Sequence, residues 1–278
     1  PPKAAAANER ALDKLIGESE PMRHLRALLG RLIDAERALR DNDLPAALIT
    51  GETGTGKELV ARALHFDGPR ARAPFVELNC SSIPANMLEA ELFGYERGAF
   101  TDAKERKLGL IEVAEGGTLF LDEVGEMDLA LQAKLLKFLE DKMVRRLGSV
   151  REQRANARVI AATHRNLDEM VRDGSFRSDL LFRLRIVQIK LPALRGMPAD
   201  IPLLAAHYLQ RQAARYGKAD LRFSDAALAM LTRHTWPGNV RELRNIIEHS
   251  VILCSGTQIT PEHLQLGPGH DAEFAAAP

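Results

Sequence analysis

Residues 46–64 restrict what this chain can become more than any other stretch. A short apolar run, Ala46-Ala47-Leu48-Ile49-Thr50, leads into Gly51-Glu52-Thr53-Gly54-Thr55-Gly56-Lys57-Glu58, and Leu59, Val60, Ala63 and Leu64 follow at helical spacing. Strand, glycine-rich turn and helix start form the setting in which a phosphate-binding loop is credible. The glycines let backbone N–H groups curl towards phosphate oxygens. The helix N-terminus adds partial positive charge, and Lys57 has the length to reach β- and γ-phosphates. Glu58 departs from the general pattern, which puts a Ser or Thr hydroxyl there for Mg²⁺.

Composition narrows the partners. Lys plus Arg and Asp plus Glu both total 38 in 278 residues, so no net charge steers the chain to nucleic acid or membrane. Two cysteines, Cys80 and Cys254, are too few for a disulfide framework and fit a cytoplasmic setting. No apolar run approaches the length of a membrane span. Aromatic residues make up only 5%, which argues against a base-stacking platform.

A second apolar strand, Thr118-Leu119-Phe120-Leu121, ends in Asp122-Glu123. An acid at that strand end can hold Mg²⁺, and the next can orient an attacking water. Phe75-Val76-Glu77-Leu78-Asn79 reads as another strand, with Asn79 tying down the turn after it. Arg158 to Thr163 reads as a fourth strand that carries His164 to its C-terminal end, a position facing ligand crevices in such folds. Ile186-Val187-Gln188-Ile189 is a fifth.

Elsewhere, Ser19 is expected to cap a helix carrying Leu25, Leu28, Leu29, Leu32 and Leu39, and Asp128 to cap one carrying Leu131, Leu135, Leu136 and Leu139. Residues 93–103 are glycine-broken around Phe100. They read either as a loop folded over its own aromatic or as an exposed tip that touches a partner. Arg145, Arg146, Arg151, Arg154 and Arg158 read as a solvated hairpin. Phe176 to Leu184 reads as a helix with Arg177 and Arg183 nearly two turns apart, as surface charges. From residue 200 the pattern is helical, over 200–216, 224–234 and 240–254. Asn239 with Glu242 resembles a capping box that sets Arg241 in the first turn. Pro1 to Glu9 reads as a linker and residues 267–278 as a frayed tail, as for a domain cut from a longer chain.

Together these segments resemble the central AAA+ ATPase domain of bacterial enhancer-binding proteins, the NtrC-like activators of sigma-54 RNA polymerase. The resemblance runs from about Gly17 to Leu266. It rests on Gly-Glu-Thr-Gly-Thr-Gly-Lys-Glu at 51–58, Glu-Leu-Phe-Gly-Tyr-Glu-Arg-Gly-Ala-Phe-Thr at 91–101 and Gly-Gly-Thr-Leu-Phe-Leu-Asp-Glu at 116–123. Phe-Arg-Ser-Asp-Leu-Leu-Phe-Arg-Leu at 176–184 and Trp-Pro-Gly-Asn-Val-Arg-Glu-Leu at 236–243 complete it. Glu58 is usual in that family.

The resemblance implies an α/β fold: a P-loop NTPase with a five-stranded parallel sheet over residues 10–195 and a helical lid over 196–266. It implies that Gly51, Glu52, Thr53, Gly54, Thr55, Gly56, Lys57 and Glu58 bind ATP. Asp122 would hold Mg²⁺ and Glu123 the hydrolytic water. Asn79 would hold Glu123 back until the site is engaged. His164 occupies the sensor position, where Asn is more usual, and Arg241 matches the sensor arginine of the lid. Arg177 and Arg183 resemble arginine fingers inserted by a neighbouring subunit, which implies a homo-oligomeric ring, a hexamer or a heptamer. Gly98, Ala99, Phe100, Thr101, Asp102 and Ala103 would form the loop that contacts the sigma-54 RNA polymerase holoenzyme. There Asp102 replaces the family's second glycine, adding a Cβ and a charge at the tip. That substitution keeps open a second reading, an ATP-binding regulator with altered or lost remodelling. An unfoldase or helicase loader is a third. DNA would be bound through a C-terminal domain, and no membrane association is expected.

Overall fold

The computed structural model describes residues 10–39, 43–101 and 103–267. Asp102, the opening residues 1–9 and the tail from 268 onward lie outside them.

The chain divides into two compact units. The first comprises residues 1–12, 28–50 and 57–190; the second comprises 13–27, 51–56 and 191–278. The first is built on a sheet of β1 (Ala47–Thr50), β2 (Phe75–Asn79), β3 (Thr118–Asp122), β4 (Arg158–Thr163) and β5 (Val187–Lys190). Its order is β2-β3-β4-β1-β5, and every pairing is parallel. Successive side chains of a strand point to opposite faces, yet Ala47, Leu48 and Ile49 are all fully buried, as are Leu119 to Leu121 and Val159 to Ala162 to within 2%. These central strands are therefore covered on both sides, which is why they read as unbroken apolar runs. The outer strand β5 alternates instead, with Ile189 buried between exposed Gln188 and Lys190.

Helices α1 (Glu20–Arg37), α2 (Lys57–Phe66), α4 (Leu129–Asp141) and α6 (Ser178–Leu184) follow the expected segments, and α3 (Ala85–Phe93) and α5 (Leu167–Arg172) lie between them in the chain. Asp128 caps α4 as anticipated, its Oδ1 accepting the Leu131 N–H at 2.7 Å, and Leu131, Leu135 and Leu139 are buried below. The arginine-rich segment is a hairpin of Met143–Arg145 against Glu152–Arg154. Arg145, Arg151 and Arg154 are solvated. Arg146 and Arg158 are not: they are 4% and 1% exposed. Arg158 opens β4 and pairs with Glu36 of α1, Nη1 to Oε2 at 3.0 Å. Burial pushes the Glu36 carboxyl up while Arg158 pulls it down, and the upward effect prevails.

The second unit is helical, with α7 (Ile201–Arg215), α8 (Asp225–Arg233) and α9 (Asn239–Leu253) around the buried Trp236, whose Nε1 donates to the Leu231 carbonyl at 2.9 Å. Asp200 is fully buried here and accepts the backbone N–H groups of Glu18 and Ser19 at 2.6 and 2.8 Å. The Ser19 hydroxyl also donates to Asp200. Ser19 therefore precedes α1 without capping it through its side chain, because a buried carboxylate competes successfully for the hydroxyl.

No helix among the described residues is long and apolar enough to cross a membrane. Cys80 and Cys254 are both free and buried.

Candidate functional site

In the second unit, Gly51–Gly56 is a tightly folded loop. Gly54 and Gly56 sit at φ +81° and +96°, where a side chain would be strained. A Cβ on Gly54 would also fall 2.3 Å from the Gly238 carbonyl oxygen, so this backbone lies directly against the start of α9. Thr55 Oγ1 donates to the Glu52 carbonyl at 2.8 Å and stiffens the turn.

The expected capping box is replaced by a different arrangement. Gly238 stands at the N-cap and Asn239 is the first helical residue, at φ +51°. The Glu242 carboxylate accepts the Gly238 N–H at 2.8 Å. Asn239 is fully buried and spends its amide on the loop, with Nδ2 donating to Glu52 Oε2 and to the Thr53 carbonyl, both at 3.1 Å. Its Oδ1 accepts the Leu194 N–H at 2.8 Å. Arg241 lies in the first turn as expected, and its N–H donates to the Gly54 carbonyl at 3.3 Å. Arg195 grips the Glu52 carboxylate with both terminal nitrogens, Nη1 to Oε2 at 2.7 Å. Sequence reading missed both Asn239 and Arg195 as partners of the loop. Only the tight Trp-Pro-Gly-Asn turn hinted that Asn239 had work beyond capping.

In the first unit, four residues meet. Lys57 opens α2, is 7% exposed, and places Nζ 3.6 Å from Glu123 Oε1. Asp122 ends β3, and Glu123 follows it in the left-handed region at φ +55°. A non-glycine residue there is uncommon and costs free energy, a pattern concentrated at functional sites. His164, just past β4, meets Glu123 Oε2 through its Nδ1 at 2.7 Å and its backbone N–H at 3.2 Å. Burial, then the adjacent Glu123 charge, pushes the Asp122 carboxyl above the usual range, partly offset by Lys57. Burial acts the same way on Glu123, but the His164 hydrogen bond and Lys57 outweigh it and hold its carboxyl low.

Asn79 stands beside Asp122 in the β2–β3 register. Its Oδ1 accepts the Ser81 N–H at 2.9 Å and the Ser81 hydroxyl at 2.7 Å, tying down the turn. Arg177 precedes α6 at its N-cap instead of lying on the helix, because the chain there is still extended (φ −77°, ψ 130°). It is exposed and pairs with Asp179, Nη2 to Oδ2 at 2.8 Å. Arg183 is exposed in the last turn, next to Phe182, which is 76% exposed.

The segment around Phe100 folds partly over its own aromatic and leaves that ring half-exposed. Gly94–Tyr95 pairs antiparallel with Lys107–Leu108, so the residues between form an excursion from a hairpin. Phe100 packs edge-on against Tyr95 at 4.9 Å between ring centres, yet remains 44% exposed. The base is anchored by Arg146, which donates to Glu96 at 2.7 Å and to Glu112 at 2.8 Å. Buried, fully paired arginine here explains why the arginine run was only partly solvated.

A parallel five-stranded sheet with its acidic pair at a strand end, a glycine phosphate loop and a helical second unit define an AAA+ P-loop ATPase fold. Residues 15–190 match the family described as Sigma-54 interaction domain, and residues 195–273 match the AAA+ ATPase lid domain. The chain belongs to the Sigma-54 interaction domain family. It is 43% identical over 274 residues to the response regulator protein PilR of Pseudomonas aeruginosa, covering 98% of this chain and 60% of PilR. It is 47% identical over 219 residues to the regulatory protein AtoC of Escherichia coli, covering 79% of this chain and 48% of AtoC. The chain thus spans about half the length of such relatives. Among solved structures it resembles NtrX from Brucella abortus in complex with ATP, with a TM-score of 0.80 and 37% identity over 90% of this chain and 56% of NtrX. RuvB of Thermotoga maritima shares the fold at 16% identity and a TM-score of 0.59, over 91% of this chain and 70% of RuvB.

Proposed function

We propose that this chain is the ATP-hydrolysing part of a transcriptional activator, a ring-forming ATPase that remodels sigma-54 RNA polymerase. The observation that carries the reading is the meeting of Lys57, Asp122, Glu123 and His164 at strand C-terminal ends, in a chain of this family. Residues 10–195 serve as the nucleotide-binding subdomain and 196–266 as the lid.

Glu123 orients the attacking water and accepts its proton. It starts from a state in which Lys57 and His164 hold the carboxylate, so nucleotide entry must loosen that grip before water can be engaged. His164 thus acts on Glu123 as well as at the sensor position, and Asn79 is the second candidate for that restraint. Lys57 neutralises phosphate charge, as do the backbone N–H groups of the loop that ends at Gly56. Two adjacent carboxylates with one lysine nearby suit a hard cation, since Mg²⁺ is commonly held by one or two carboxylates plus substrate phosphates. Asp122 would hold it, and Mg²⁺ when bound supplies further charge neutralisation. Arg177 and Arg183 act in the neighbouring protomer's site, where a guanidinium stabilises charge building on the γ-phosphate. The bare Phe182 beside Arg183 fits a face covered by a second copy.

Gly98 to Ala103, with Phe100 at its half-exposed tip, is the contact with sigma-54. The test is purified protein, ATP and sigma-54 holoenzyme on a pre-melted promoter, where a nucleotide-dependent complex is expected. Normal ATP turnover with no complex would remove the remodelling claim. Asp102 favours one second reading, a regulator that keeps ATP binding and ring formation but no longer melts promoters. Open complexes formed by Asp102→Gly but not by the parent would decide for it.

A further inference from the structure

A phosphate loop that carries an acidic side chain faces an electrostatic problem. Glu52 is its second residue, and an ionised carboxylate there opposes the approach of a triphosphate. Three observations in the second unit bear on how this is managed. Arg195 takes both oxygens of the carboxylate in a bidentate pair. Asn239, fully buried, donates to one of them and to the neighbouring Thr53 carbonyl. Arg241 N–H and the Gly238 carbonyl then close on Gly54 so tightly that no Cβ fits.

An exposed pair of this kind is worth about 0–1 kcal/mol to stability. Glu52 and Arg195 keep 42% and 51% of their side-chain surface, so fold stability alone does not account for the arrangement. What it does instead is offset the carboxylate's charge and hold it towards the start of α9.

We propose that Arg195 and Asn239 are positioning residues for nucleotide binding, acting through Glu52 as a latch that neutralises and fixes the phosphate loop. This rests on the reading of the protein as an ATP-binding protein. The latch makes loop shape depend on two residues distant in sequence, because Asn239 and Arg195 both belong to the segment following residue 190. It also places a cost on any ligand that draws Arg195 away.

The test is a double-mutant cycle read by calorimetric binding of ADP and of a non-hydrolysable ATP analogue, with no turnover involved. Arg195→Ala in the Glu52 background should weaken analogue binding about tenfold, equal to about 1.4 kcal/mol. The loss should be smaller for ADP, which carries less charge, and should shrink at high salt as screening grows. The same Arg195→Ala change in a Glu52→Gln background should cost little, since no charge is left to unmask. Arg195→Lys should recover most of the affinity and serves if Arg195→Ala folds poorly. Equal losses in both backgrounds would overturn the proposal, as would parental affinity in Arg195→Ala. Absence of nucleotide binding by the parent protein would instead sink the ATP reading on which the latch depends.

Discussion

Glu36 and Asp122 in the first unit and Glu52 in the second are governed by opposite forces. At Glu36 and Asp122 of the first unit burial dominates, and both are pushed above the ordinary carboxylate range even with a cation nearby. In the second, Glu52 is exposed, and the Arg195 and Asn239 hydrogen bonds hold its carboxyl down at about 2. A buried carboxylate beside another one favours an arriving cation. An exposed carboxylate with two donors on it has been taken out of play. The same side-chain chemistry is therefore set by burial in one place and by hydrogen-bond donors in the other.

The contrast can be broken most forcefully at Glu123. Glu123→Gln should lower turnover by about 10²–10⁴-fold, the usual contribution of a positioned acid or base, while nucleotide still binds. Steady-state ATPase assays beside equilibrium binding check this, and retained hydrolysis would refute the role. Next comes the buried pair in the first unit. Arg158→Ala leaves the buried Glu36 without its guanidinium partner, and should cost about 3–5 kcal/mol in urea unfolding. Arg195→Ala, removing the partner of an exposed carboxylate, should cost no more than about 1 kcal/mol in the same measurement.

The smallest effect lies in acid. A carboxyl depressed on folding adds stability that is complete above its unfolded pKa and disappears as pH falls through the folded one. For Glu52 that window runs from 4.5 down to about 2. The unfolding difference between the parent and Glu52→Gln should therefore be steady above pH 4.5 and vanish near pH 2. A difference that instead grew on acidification would mean that Glu52 is not held by its donors.

Much of this architecture was legible in the sequence because it rests on local rules. Apolar runs such as 47–49 and 159–162 become buried parallel strands, and Asp128 sits where a cap is needed. What escaped were outcomes of competition at a distance. Ser19 carries the right side chain for a cap but surrenders it to Asp200, which is 181 residues away. Asn239 and Glu242 have capping-box spacing, yet the loop at Glu52 claims the amide. Arg146 and Arg158 look like their solvated neighbours in sequence, and only the tertiary positions of Glu96, Glu112 and Glu36 separate them. At the site, the residue types at 57, 122 and 123 announced themselves. The engagement of Glu123 by His164 did not, since nothing local says where the Glu123 carboxylate turns once its backbone enters the left-handed region.

The most direct measurement is subunit mixing. Lys57→Ala lacks its own phosphate contact but keeps its arginines, and the double variant Arg177→Ala/Arg183→Ala has the reverse defect. Each alone should be nearly inactive as an ATPase, and mixing them should restore a sizeable part of parental turnover through sites built from two protomers. If the arginine variant alone hydrolysed ATP at the parental rate while sedimenting as a single subunit, the shared site and the ring built on it would be contradicted.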